Sequence, residues 1–155
     1  MEYGQIERSI YVDAAPDVVY EVISSPEHLK EWWSDEVVDL EPVPGSVGEL
    51  VWGERTSPDS HVARIEVVDA APPRLFSFRW AHLSDDAVPP MNSLLVTFEL
   101  SPSGEGTTLR MTETGFREMG WEVAVLEEQY NSHVEGWNRH LPRLVECAAR
   151  LGASG

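Results

Sequence analysis

From about Gly120 onward, apolar residues recur at three- and four-residue intervals: Leu126, Tyr130, His133, Val134, Trp137, Leu141, Leu144, Val145 and Ala148. A stripe this broad marks a helix that buries one whole side, not a narrow coiled-coil seam. Glu122, Glu128, Glu135, Arg139, Arg143 and Arg150 fall on the opposite side. Thirty residues at 1.5 Å each give a helix of about 45 Å. Such a helix cannot cover its own stripe, so the rest of the chain must supply an apolar surface of similar length. Pro142 lies inside the run. It removes one backbone hydrogen bond and crowds the carbonyl of Asn138, which predicts a local kink.

The preceding residues supply that surface as strands. Ile6 to Asp13 alternates, with Ile6, Ile10 and Val12 on one face. Ala14-Ala15-Pro16-Asp17 then opens a short helix, and Ser25-Pro26-Glu27 opens a second, which carries Leu29, Trp32 and Trp33. Strand-like segments follow at Glu36–Glu41, Val47–Glu54, Ser60–Ala70, Arg74–His82, Asn92–Leu100 and Thr107–Gly115, separated by turns such as Pro42-Val43-Pro44-Gly45 and Ser103-Gly104-Glu105-Gly106, and by a Pro-rich loop from Ser84 to Pro90. No helical pattern separates the last six, so antiparallel pairing is expected. The reading is α+β: a curved antiparallel sheet of about seven strands around a long C-terminal helix, with two short helices after the first strand. No repeat or linker divides it, and residues 1–155 are read as one domain.

Wide helix-on-sheet packing commonly leaves a cavity, and ligand pockets are apolar with a few polar groups. Trp52, Phe76, Phe78, Trp80, Phe98 and Met111 are expected to face Tyr130, His133, Trp137 and Leu141, with Trp33 at one end. So many planar side chains either shape a cavity for a ring-bearing ligand or fill the space as core. The polar groups in inward phase are His61, His82, Glu113 and His133. Arg64 lies close in sequence but in the opposite phase. Glu113 continues the alternation of Leu109 and Met111, so its carboxylate is either an inward anchor with altered acidity or a rim group reaching solvent. His133 and His140 are seven apart and share a helical face.

Other chemistries are disfavoured. With 27 acidic and 11 basic residues the net charge is −16, which opposes binding to phosphate backbones and anionic membranes. The one cysteine, Cys147, has no disulfide partner in the chain and falls in the helical run near Leu144 and Ala148, as a buried inert thiol would. No signal-peptide pattern or membrane-length apolar run is present, so a cytoplasmic protein is expected. No metal-ligand spacing, phosphate-binding loop or nucleophile elbow occurs, and no metal or cofactor is expected.

The opening IYVDAAPDVVYEVISSPEHLKEWW, the span from Pro44-Gly45 to Gly48, the run Ala71-Pro72-Pro73-Arg74-Leu75 leading to Trp80, the segments VTFEL and GTTLRMTETG, and the final Gly136-Trp137-Asn138-Arg139-His140-Leu141-Pro142-Arg143-Leu144 occur in a specific order. In that order the chain resembles START-like (SRPBCC) proteins, and within them the branch similar to the C-terminal domain of the activator of heat-shock-protein ATPase. The resemblance covers about Ile6 to Leu151. It implies a helix-grip fold with a cavity under the long helix. Members of the superfamily bind lipids, sterols or polyketides, and some are cyclases, hydrolases or oxygenase subunits.

The leading expectation is a binding protein, monomeric or homodimeric, for an apolar or aromatic small molecule such as a lipid or polyketide. Its pocket is expected to involve Trp33, Trp52, Phe78, Trp80, Phe98, Met111, Tyr130, His133, Trp137 and Leu141, with His82 and Glu113 as polar anchors. The alternatives are an interaction module with a chaperone ATPase as partner, and a cyclase or dehydratase using Glu113 or His82 as general base.

Overall fold

The computed structural model describes residues 5–53, 61–82, 94–115 and 123–154. Strand β1 (Gln5–Val12) is followed by α1 (Pro16–Ser24) and α2 (Pro26–Trp32), then by β2 (Glu36–Val38), β3 (Val47–Trp52), β4 (His61–Ala71), β5 (Leu75–His82), β6 (Leu94–Ser103), β7 (Gly106–Thr114) and α3 (Val123–Ser154). Prolines stand at the first position of α1 and α2, where their fixed φ suits helix entry and their missing N–H is not needed. The strands form one antiparallel sheet in the order β1-β7-β6-β5-β4-β3-β2. This is the α+β helix-grip architecture: a curved sheet, two short helices after the first strand and a long helix at the C-terminal end. The expected residues Glu54, Ser60, Ser84 to Pro90, Asn92 and Glu122, and the side chains of His61, His82 and Leu126, lie outside the described residues.

Alternation decides which side of the sheet is core. Ile6 is in register with Glu113, Glu113 with Val96, Val96 with Phe78 and Phe78 with Val67, so one transverse row crosses five strands. All five are buried. The next row pairs Met111 with Phe98 and Phe98 with Phe76. A bulge in β4 between Val67 and Asp69 shifts the register with β5 and leaves Val68 exposed. Bulges of this kind increase local twist, as a sheet that curls around a helix requires. At the β2–β3 edge a Cβ on Gly48 would lie 2.5 Å from the Val38 carbonyl oxygen, so only glycine permits that approach.

α3 closes the open side. Tyr130 donates its hydroxyl to the Gln5 carbonyl at 2.9 Å, and Arg8 reaches Asn138 at 3.4 Å, which anchors the first half of the helix over β1. Among its described side chains Trp137, Leu141, Leu144, Cys147 and Ala148 are buried, and α1 and α2 pack against it. The helix α3 continues through Pro142, whose exposed ring falls on the solvent side.

Candidate functional site

The short α2 sets up the site. Trp32 donates its indole N–H to the Val22 carbonyl at 2.8 Å, which fixes α2 against α1. Trp33 caps the helix at φ −118°, ψ −66°, turned so that its ring enters the space between α3 and the sheet. It stacks on Trp32 at 5.5 Å and 8° and meets Trp80 at 5.2 Å, Trp137 at 5.4 Å, Phe78 at 5.6 Å and Trp52 at 5.8 Å. Its carbonyl accepts the indole N–H of Trp52 at 2.8 Å. One residue thus joins the helix, two strands of the sheet and the long helix.

Glu113 is 0% exposed. Its strand phase points it inward with Leu109 and Met111, and three ring N–H groups meet it there. Trp80 donates to Oε2 at 2.8 Å, Trp137 donates to Oε1 at 2.8 Å, and His133 Nδ1 lies 2.9 and 3.0 Å from the two oxygens. Indole donates only, and an ionised carboxylate only accepts, so the natural pairing puts the His133 proton on Nδ1. The structure places Glu113 inward and buried rather than at the rim. The rim position would have spared a buried charge; the three donors remove that cost by satisfying it.

A pocket of about 250 Å³ opens beside this cluster, bordered by Trp33, Trp52 and Trp80 on one side and by Ser132, His133, Glu135, Gly136, Trp137, Arg139 and His140 of α3 on the other. Gly136 leaves the helix wall low, since a Cβ there would meet nothing within 4 Å. His140 is partly buried, and its Nδ1 is enclosed with no hydrogen-bond partner among the described residues. Burial holds its pKa below the ordinary 6.5; a hydrogen bond with the Trp32 backbone opposes this, and the charges of Arg139 and Arg143 reinforce it.

Among the residues singled out by sequence, Trp33, Trp52, Trp80, His133 and Trp137 border this pocket. Phe78, Phe98, Met111 and Leu141 are buried in packed core, Tyr130 packs at the core margin with its hydroxyl on β1, and Glu113 lies behind the indoles it binds. The side chain of His82 lies outside the described residues. The sequence marks no pocket role for Ser132, gives Gly136 only as part of the final signature segment, and puts Glu135 and Arg139 on the outer side. Their signal was their position around His133, Trp137 and His140 on the helix, which only a known edge of the sheet converts into a pocket rim.

A curved sheet gripping a long helix, with a pocket at their edge, defines a helix-grip protein. The chain belongs to the family of activator of Hsp90 ATPase homolog 1-like proteins, whose model matches residues 13–149. Its fold is similar to that of protein MLL2253 from Mesorhizobium loti, at 22% identity and a TM-score of 0.74 over 94% of this chain and 97% of that one. It is also similar to DynU16, a putative protein in the dynemicin biosynthetic locus, at 22% identity and a TM-score of 0.69 over 92% of this chain and 46% of that one. The Aha1 dimer from Colwellia psychrerythraea matches at 15% identity and a TM-score of 0.59, over 85% and 89% of the two chains. No curated protein matches in sequence.

Proposed function

We propose that this protein is a cytoplasmic carrier or sensor that holds a small ring-bearing molecule in the pocket between α3 and the β3–β5 edge. The observation that carries this reading is the convergence of Trp33, Trp52, Trp80 and Trp137 around an opening of about 250 Å³. The flat indole faces on one side favour a flat ligand, and the polar side chains of α3 on the other favour one with polar substituents. The volume falls just below the ~300–1,000 Å³ of pockets for drug-sized molecules, which favours a compound of one or two rings over a long acyl chain. His133 and His140 supply the polar contacts that fix its orientation. Glu113 serves as a positioning residue: its oxygens are occupied by Trp80, Trp137 and His133, which argues for holding the walls rather than abstracting a ligand proton.

Titration of the protein by calorimetry and tryptophan fluorescence against phenols, flavonoids, small polyketides and fatty acids tests this reading. One-to-one binding of a ring compound is expected. Gly136→Leu, which fills the low part of the wall, should weaken that binding about tenfold or more. A panel in which no ring compound binds, or a Gly136→Leu protein of unchanged affinity, contradicts the proposal.

The family match favours a second reading, an interaction with an Hsp90-class ATPase. It predicts that the protein changes the chaperone's ATP turnover. Unchanged turnover at saturating concentration sets it aside.

A further inference from the structure

Away from the pocket, α2 and α3 bring three different donor groups together. His28 and Glu31 stand three apart on α2, and Cys147 comes from the last third of α3. Cys147 Sγ lies 3.1 Å from Glu31 Oε2, and His28 Nδ1 lies 3.6 Å from Glu31 Oε1. The nitrogen, oxygen and sulfur all fall within 4.8 Å of one another. His28 is 9% exposed, and its Nδ1 is enclosed with no hydrogen bond among the described residues, Glu31 Oε1 lying 3.6 Å away within the cluster. An enclosed ring nitrogen without a partner is a cost that folding does not normally leave standing.

We propose that His28, Glu31 and Cys147 form a binding site for a divalent transition-metal ion of the zinc type, with a fourth position open to water. Tetrahedral zinc at bond lengths of about 2.0–2.3 Å holds its donor atoms roughly 3.3–3.8 Å apart, close to the separations already present. The sulfur and imidazole select against magnesium and calcium, which prefer oxygen alone. Glu21 Oε1 lies 3.8 Å from His28 Nε2, where an outer carboxylate orients a metal-bound imidazole. On binding, the Cys147 thiol gives its proton to solvent, and the thiolate and the Glu31 carboxylate balance the charge of the ion. The acidity of the whole chain, at −16, raises the local cation concentration. Arg150, 4.0 Å from Glu31 Oε2 and largely exposed, competes for that oxygen.

The test uses the full chain without an affinity tag, freed of metal by chelation, and titrated with Zn²⁺ by calorimetry and with Co²⁺ by absorption. One equivalent should bind, and Co²⁺ should show thiolate-to-metal charge-transfer absorption. Cys147→Ser should abolish that absorption, and His28→Gln should retain it. Each should weaken Zn²⁺ binding by roughly 10–100-fold or more. Glu31→Gln, at a half-exposed position, gives the same reading if Cys147→Ser does not fold. Absence of stoichiometric binding, or affinity unchanged in His28→Gln and Glu31→Gln, overturns the proposal and assigns any uptake to the acidic surface.

Discussion

Glu113 carries more of the site than any neighbour, because three rings from two elements are oriented by one carboxylate. Replacing it with glutamine keeps the volume but turns one acceptor into an N–H₂ that faces N–H donors. Hydrogen bonds to a charged group contribute about 1.5–3 kcal/mol each, and partial re-pairing recovers some of that. Glu113→Gln is therefore expected to lower stability by about 2–3 kcal/mol, measurable by urea unfolding. Tyr20 presents the opposite case. Its ring packs edge-on against Phe76 at 6.0 Å, but its hydroxyl is enclosed with no partner among the described residues. Tyr20→Phe removes an unsatisfied polar group and should raise stability by about 1 kcal/mol. Sequence reasoning could place Glu113 on the inward face from its alternation with Leu109 and Met111. It could not choose between anchor and rim, because the deciding donors Trp80, His133 and Trp137 lie 20 to 33 residues away.

At the scale of elements, α3 is the part most legible in advance. Its apolar stripe is long and regular, and the buried residues Trp137, Leu141, Leu144 and Ala148 all belong to it. Pro142 lies inside the helix, as its place in the stripe implies, with its ring on the solvent side. The missing hydrogen bond remains a cost, so Pro142→Ala should stabilise the protein by about 1–3 kcal/mol, seen as a higher melting temperature. The aromatic residues of the strands were legible as inward-facing, yet their division between core and pocket was not. Phe78 lies as near Trp33 (5.6 Å) as Trp52 does (5.8 Å) yet is fully buried, so the division follows from how the surrounding elements enclose each ring, which alternation along a strand does not carry.

The molecule as a whole should be sensitive to pH at both ends. His140 has a folded pKa below 6.5 because burial disfavours its charge. The unfolded chain therefore takes up a proton near 6.5 that the folded chain refuses. Stability from this group is complete above that value and is lost as the pH falls from there toward the folded pKa. Tyr20 works in the other direction. Burial raises its pKa above 10.0, so its contribution is complete below that value and is lost as the pH rises toward the folded pKa. A plot of melting temperature against pH should decline on both sides. His140→Gln should flatten the acid limb and Tyr20→Phe the alkaline limb. No helix among the described residues is long and apolar enough to cross a membrane.

Trp33 touches four other indoles, at centroid distances of 5.2 to 5.8 Å, and Trp52 lies 6.1 Å from Trp80. At such separations excitation is expected to be shared among the five rings, which time-resolved fluorescence anisotropy would show as rapid depolarisation. The cluster is then expected to emit as a unit, with its most efficient quencher setting the yield. A molecule resting against one exposed edge should dim all of them together. Removing a single tryptophan should redistribute the signal rather than subtract a fifth of it.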